Sequence, residues 1–219
     1  MNNVKLILVD PNPSLCWEWR EKFAGLPDVT VVHGYFEELE EYDCFVSAAN
    51  SFGMMDGGVD GAIIRYFGEN LMRRVQSRIV DEYLGEQPIG TSMIVETDHP
   101  KHPFLAHTPT MRIPMPISRT DNVYTAMWAM FLTVHRHNRD AELEGSSKCR
   151  IGVVACPGLG TGTGKVPYPE AARQMALAYR HYLAPPTQPF IPWSFASARQ
   201  DAVRFGGDLG LIPAKKIAR

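Results

Sequence analysis

The chain has no long apolar run, and this absence excludes several classes of protein. No stretch approaches the roughly 18 consecutive apolar residues that a membrane-spanning helix needs, and no secretory-type apolar segment opens the chain. Internal repeats and low-complexity tracts are absent as well. We therefore expect a globular protein that is soluble in the cytoplasm and has no membrane partner.

Cysteine is scarce, and its spacing indicates neither disulfides nor zinc. The four cysteines form no C-x-x-C pair, and Cys44 and Cys156 fall within apolar, strand-like runs. Buried free thiols in a reducing compartment are the simplest interpretation. The histidine pairs His99/His102 and His135/His137 lack a third ligand at a useful spacing. We predict no metal site and no cofactor.

Excess basic charge is also missing. The 219 residues carry a formal net charge of −2, and lysine and arginine form no long run. An extended nucleic-acid surface is therefore not indicated, although recognition of a modified nucleotide at a chain end stays open. The length suits one domain with an appendage, and a hydrophobic content of 45% is typical of globular proteins.

Apolar runs alternate with segments of helical periodicity, which predicts an α/β fold with a sheet covered on both faces. The predicted strands are Val4–Val9, Val29–His33, Asp43–Ala48, Thr91–Glu96, Phe104–Thr108 and Ile151–Cys156. The predicted helices are Leu15–Phe23, Ala62–Tyr83, Asn122–Asn138 and Tyr168–Leu183. In such sheets ligands bind at the carboxyl ends of the strands.

A glycine pair follows the third predicted strand. The strand ends at Asn50, the loop closes on Gly57-Gly58, and a helix begins at about Val59. Glycines at a helix start let a ligand approach bare backbone amides at the positive end of the helix dipole, which favours phosphate. Asn50 and Asp60 flank this loop. The alternative is a tight strand-to-helix connection without a ligand, with Asn50 stabilising a turn and Asp60 capping free amides.

A second glycine-rich loop follows the last predicted strand. Between Pro157 and Pro167 the chain has glycine at positions 158, 160, 162 and 164. The spacing fits neither a P-loop, which would need glycine at Leu159, nor the dinucleotide fingerprint, whose third glycine is missing. This is a phosphate-type loop of another kind.

The two loops, in this order, resemble those of the macro domain, a module that binds ADP-ribose. The first loop of that family typically reads V-N-A-A-N-S followed by glycines and V-D-G, and residues 46–51 and 57–61 read V-S-A-A-N-S and G-G-V-D-G. The second loop has the family's length and keeps Thr161-Gly162. The resemblance covers roughly residues 30–183 and implies a three-layer α/β/α sandwich around a central mixed, mostly parallel sheet.

The resemblance also implies a function. It suggests that the chain binds ADP-ribose or a related NAD-derived nucleotide, free or attached to a protein or nucleic-acid end. It further implies hydrolysis of an ADP-ribosyl linkage, with Asn50 orienting the distal ribose and Asp60 activating water. The ligand-binding positions would be Ala49, Gly57, Gly58, Val59, Gly158, Gly160, Thr161, Gly162, Thr163 and Gly164. The alternatives are a non-catalytic reader and a phosphatase acting on ADP-ribose 1″-phosphate.

Several positions depart from the family pattern. Ser47 replaces the first asparagine, and Met54, Met55 and Asp56 stand where glycines are usual. Thr163-Gly164 replaces an Ile-Tyr pair in the second loop.

At the base end, Tyr35 stands where the family has an acid that binds the adenine amine. Tyr35 could stack on the base instead, or Asp10 could supply the acid from a neighbouring strand. Phe52 could line the distal ribose or pack on the surface, and Asp56 could assist or replace Asp60. We expect His107 to be a core histidine.

The composition changes after residue 184. A proline-rich stretch leads into a segment that retains Trp193 and Phe195, more apolar residues than a disordered tail usually keeps. We expect a macro domain over residues 1–184. Residues 185–219 would form an extension that either packs on its surface, near the ligand cleft or elsewhere, or is partly flexible.

Overall fold

The computed structural model describes residues 4–143 and 150–207, and a six-stranded sheet forms its centre. The strands are β1 (Lys5–Asp10), β2 (Val29–His33), β3 (Cys44–Asn50), β4 (Met93–Glu96), β5 (Phe104–Met111) and β6 (Val153–Cys156). Their order is β2-β1-β6-β3-β5-β4; β4 runs antiparallel to β5, and the other pairs are parallel. The prediction of a mixed, mostly parallel sheet is confirmed.

Helices cover both faces of this sheet, as predicted. They are α1 (Pro13–Lys22), α2 (Gly58–Phe67), α3 (Asn70–Tyr83), α4 (Asn122–Leu143), α5 (Tyr168–Leu183) and α6 (Trp193–Val203), with a 3₁₀ turn at Phe36–Glu38. One face carries α1, α4 and α5, and the other carries α2 and α3. The result is a three-layer α/β/α sandwich.

The strands read as continuous apolar runs because both of their faces are buried. In β1, Leu6 and Leu8 belong to the core beneath α1, α4 and α5, whereas Val9 belongs to the core beneath α2 and α3. Cys44 and Cys156 are buried and free, and so is Cys16; Cys149 lies outside the described residues. None of the described helices is long and apolar enough to cross a membrane; the cytoplasmic location stays a prediction.

The predicted single helix Ala62–Tyr83 is wrong, because the chain forms two helices there. Helix α2 ends at Phe67, and Gly68 follows with φ +95°. An L-residue rarely adopts this conformation, so glycine allows the chain to leave the helix and re-enter one at Asn70. The break turns α3 towards the β4 edge of the sheet, with which it makes contact.

After α5 the chain crosses residues 184–192 without regular structure and then forms α6. The Arg199 side chain of α6 donates to the Tyr124 hydroxyl at 3.1 Å, and its guanidinium lies 4.6 Å from the Trp128 ring centre. The Arg173 guanidinium of α5 donates to the Ala202 carbonyl at 2.7 Å. Helix α6 therefore packs against α4 and α5.

Candidate functional site

A cavity of about 740 Å³ opens where the carboxyl ends of the parallel strands meet. The loops after β1, β2, β3 and β6 and the start of α2 form its walls. Of the site residues predicted from the sequence, all but Phe52 line it: Asp10, Tyr35, Ala49, Asn50, Asp56, Gly57, Gly58, Val59, Asp60, Gly158, Gly160, Thr161, Gly162, Thr163 and Gly164. The volume is within the usual range for a small-molecule site.

The Asn50 side chain shapes the first loop. Its Oδ1 accepts from the amides of Phe52 and Met54 at 3.1 and 3.3 Å, and its Nδ2 donates to the Met54 carbonyl at 2.8 Å. These bonds form a local turn of the kind that asparagine favours. One hydrogen of the Asn50 amide remains available for a ligand, because the amide nitrogen carries two.

Asp60 presents a buried carboxylate in the first turn of α2. Asp60 is only 6% exposed, and its Oδ1 accepts a hydrogen bond of 2.7 Å from the Ser47 hydroxyl. Burial raises the pKa of Asp60 to about 6; the Ser47 bond opposes this shift and the charge of Asp56 adds to it. A carboxyl group with such a pKa can exchange a proton near neutral pH.

Helix α2 begins without a side-chain cap. Gly57 is extended, Gly58 has φ +56°, and the first intrahelical bond is donated by the Gly61 amide to the Gly57 carbonyl at 3.0 Å. The amides of Gly58, Val59 and Asp60 therefore lack an intrahelical acceptor. A Cβ atom added at Gly57 or Gly58 would meet no atom within 4 Å. This surface is open to an anion.

The glycines of the second loop fall into two groups. A Cβ at Gly158 would lie 2.5 Å from Leu15 Cδ2, one at Gly160 would lie 2.9 Å from Val123 Cγ2, and one at Gly164 would lie 2.4 Å from the Gly160 carbonyl oxygen. The fold itself requires these three glycines. At Gly162 a Cβ would meet nothing within 4 Å. The packing of the chain therefore does not require a glycine at position 162.

The cavity end beside β1 and β2 contains Asp10 and Tyr35. Asp10 accepts from the Asn12 amide at 2.9 Å and from the Gly158 amide at 3.4 Å, so it joins the turn after β1 to the second loop. Burial raises the pKa of Asp10, against the effect of these two bonds. Tyr35 is 58% exposed at the rim. Both residues are placed where a ligand could reach them.

Two comparisons with known sequences place the chain in a family. The family model "Macro domain" matches residues 46–175. An uncharacterized protein of Aquifex aeolicus is 32% identical over 155 residues, which cover 71% of this chain and 82% of that protein. The chain belongs to the macro domain family.

Solved macro domains share its fold. The macrodomain of Mycobacterium tuberculosis DarG aligns with a TM-score of 0.52 at 17% identity, covering 68% of this chain and 87% of its own. A mutant Oceanobacillus iheyensis macrodomain described as being with ADPR aligns with a TM-score of 0.54 at 21% identity, covering 81% and 77%. At these identities the likeness concerns the fold alone.

The structure also adds residues to this macro domain site. Phe52 does not line the cavity, although the neighbouring loop residue Met54 does. Tyr168 and Asn12, which the sequence did not single out, both line it, and Asn12 Nδ2 donates to the Tyr168 hydroxyl at 2.9 Å. Tyr168 immediately follows the second loop. The sequence could have indicated Tyr168 as a site residue, because the second loop lacks the family's tyrosine and Tyr168 is an aromatic residue directly after it.

His107 lies outside the cavity lining and is fully buried. Its Nδ1 bonds to Gln87 Oε1 at 2.6 Å, and desolvation lowers its pKa to about 3. A neutral ring then donates from Nδ1 to the Gln87 oxygen. His107 is a core histidine, as its position in the apolar strand predicts.

Proposed function

We propose that this macro domain binds ADP-ribose, or a closely related NAD-derived nucleotide, and hydrolyses an ADP-ribosyl linkage with Asp60 and Asn50. The observation that carries the proposal is the placement of the Asp60 carboxylate. It is buried beside the open amides of Gly58 and Val59 and lines the same cavity as Asn50. A site of this kind combines an anion-binding surface with a carboxylate that can act as a base.

The diphosphate would lie between the two glycine loops. The free amides at the start of α2 face it from one side, and the surface at Gly162 lets it approach the other loop closely. The distal ribose would then lie towards Asn50, at the end of β3. The adenosine would lie towards Asp10 and Tyr35, at the ends of β1 and β2.

Asp60 would activate the attacking water. In its ionised form it can accept a proton from a water placed near the anomeric carbon of the distal ribose. The same negative charge would stabilise the positive charge that develops on an oxocarbenium-like ribose. The free hydrogen of the Asn50 amide would hold a ribose hydroxyl, while the other bonds of Asn50 keep the loop in place.

The first experiment is calorimetric titration with ADP-ribose, with ADP and NAD as comparison ligands. We expect micromolar binding of ADP-ribose. Turnover is then measured on ADP-ribosylated protein and on ADP-ribosylated nucleic-acid ends. Asp60→Asn should retain binding and reduce turnover at least about 100-fold, because a general base contributes that much. Absence of ADP-ribose binding would contradict the proposal.

A reader of ADP-ribose is the second candidate, and the burial of Asp60 favours it. The carboxylate is 6% exposed and already accepts the Ser47 hydroxyl, so its role could be confined to holding α2 against β3. A reader would bind ADP-ribose and show no turnover with any linkage. Asp60→Asn would then leave both properties unchanged.

A further inference from the structure

One cationic side chain lines the cavity and has no partner among the residues that the structure describes. Of the described residues, Arg65 is the one lysine or arginine that lines the cavity. It forms no hydrogen bond or ion pair with any described residue, whereas Arg74 and Arg78 on α3 pair with Asp98 and Glu82. An arginine that lines a cavity and forms no hydrogen bond or ion pair with the described residues is a candidate for ligand recognition.

Arg65 lies at the adenosine end proposed above. It lines the cavity together with Ala62 of α2 and with Phe36 and Glu37 of the 3₁₀ turn after β2. The rings of Phe36 and Tyr66 lie 5.6 Å apart, so this part of α2 packs against that turn. The Arg65 side of the cavity is therefore the side next to this turn.

The guanidinium lies close to the proposed diphosphate without coinciding with it. Helical side chains lean towards the helix N-terminus, and Arg65 Nη1 lies 3.4 Å from the point that a Cβ on Gly61 would occupy. Gly61 follows Gly58 by about 4.5 Å along the helix axis. In the ligand orientation proposed above, the adenosine lies towards β1 and β2, so the group that follows the diphosphate on this side of the cavity is the adenosine ribose.

We propose that Arg65 binds a phosphate ester on the adenosine ribose, so that the preferred ligand is a 2′-phosphorylated ADP-ribose. This inference rests on the proposed function. Arginine suits phosphate because its planar donor pair matches two phosphate oxygens and it stays charged at any physiological pH. Glu37, which lines the cavity next to Phe36, opposes the phosphate; it is exposed and forms no ion pair with Arg65 in the described part of the chain.

The test compares calorimetric affinities for ADP-ribose and 2′-phospho-ADP-ribose in the full chain and in Arg65→Gln. Arg73→Gln is the matched control, because Arg73 is an exposed arginine on α3 outside the cavity lining. We expect the unmodified chain to bind the phosphorylated ligand about tenfold more tightly, as one charge-assisted contact allows. Arg65→Gln should abolish that preference, Arg73→Gln should keep it, and Glu37→Gln should increase it.

Two results would overturn the inference and leave the proposed function in place. One is equal affinity of the unmodified chain for the two ligands. The other is a loss of the same factor for both ligands in Arg65→Gln, which would assign the guanidinium to the diphosphate. If neither ligand binds, the proposed function is contradicted as well.

Discussion

The Ser47 hydroxyl donates a 2.7 Å hydrogen bond to the Asp60 carboxylate, and this bond joins β3 to the first turn of α2. Both residues are buried, with Ser47 fully inaccessible. The bond holds the acid at the cavity wall and favours its ionised form, whereas burial favours the protonated form. The balance of these effects leaves Asp60 able to change its charge near neutral pH.

The buried charge of Asp60 should reduce stability at neutral pH. Its pKa is raised in the folded chain from 3.8 to about 6, so ionisation costs the folded state on the order of 3 kcal/mol. Between about pH 4 and pH 6 the folded chain retains the proton that the unfolded chain releases. This contribution to the free energy of unfolding therefore falls as pH rises through that window, and it is constant above it.

Asp60→Asn should accordingly raise the melting temperature at pH 7.5 by at least about 3 °C, because an amide carries no charge and can still accept from Ser47. The gain should shrink as pH falls and vanish near pH 4. Thermal denaturation of both proteins from pH 4 to pH 8 measures it. Asp81→Asn, an exposed change on α3 outside the cavity lining, is the control. A gain that is independent of pH would show that ionisation of Asp60 is not its cause.

Ser47→Ala should shift the pH dependence of turnover. Ser47 lowers the pKa of Asp60, so its removal raises that pKa above about 6. The acidic limb of the pH–rate profile should then move to higher pH, by up to about one unit, since one hydrogen bond to a charged group contributes about 1.5 kcal/mol or more. Activity at the alkaline plateau should change less than activity at pH 6. An unshifted limb would show that Asp60 is not the titrating base.

The positions of the strands and of both loops could be predicted because they depend on local chemistry. The apolar run 151–156 and the glycines of the second loop are visible in the sequence, and β6 with its loop lies there. The cation at the cavity was not predictable in this way. Arg65 has an ordinary helical neighbourhood in the sequence, and only the packing of α2 against the turn at Phe36 brings it to the cavity.

The glycine pattern also could not be separated into its two roles from the sequence. Nothing in the sequence distinguishes the four glycines of the second loop from one another. Position 158 requires glycine because a side chain there would collide with Leu15, which is distant in sequence. Position 160 requires glycine because of Val123. Contacts of this range are set by the tertiary fold. The role of Asn50 in shaping its loop was, by contrast, an alternative that local turn chemistry had already indicated.

Alanine substitutions at Gly162 and Gly164 should separate ligand binding from folding. Gly162→Ala places a methyl group in open space at the cavity wall, so we expect little change in the melting temperature and at least a tenfold loss of ADP-ribose affinity. Gly164→Ala brings a methyl group to 2.4 Å from the Gly160 carbonyl oxygen and should reduce stability by about 1–3 kcal/mol. Denaturation and calorimetry on both variants measure the two effects. Full affinity in Gly162→Ala would place the ligand away from this loop.

A buried ion pair on α5 holds the end of α6 in place. Arg173 donates to Glu170 at 2.6 and 2.8 Å and to the carbonyl groups of Ala202 and Arg204, and both partners of the ion pair are about 9% exposed. Arg173→Ala would leave the Glu170 carboxylate buried without its cation. The cost of removing one partner from such a pair is about 3 kcal/mol or more.

We therefore expect Arg173→Ala to lower the free energy of unfolding by about that amount and to release α6 from α5. Limited proteolysis should then cut the segment between α5 and α6, residues 184–192, faster than in the unmodified chain. Arg204→Ala is the control, because its ion pair with Asp201 is exposed and contributes little. Equal cleavage rates in Arg173→Ala and in the control would show that α6 is retained by its other contacts, above all those of Arg199 with Tyr124 and Trp128.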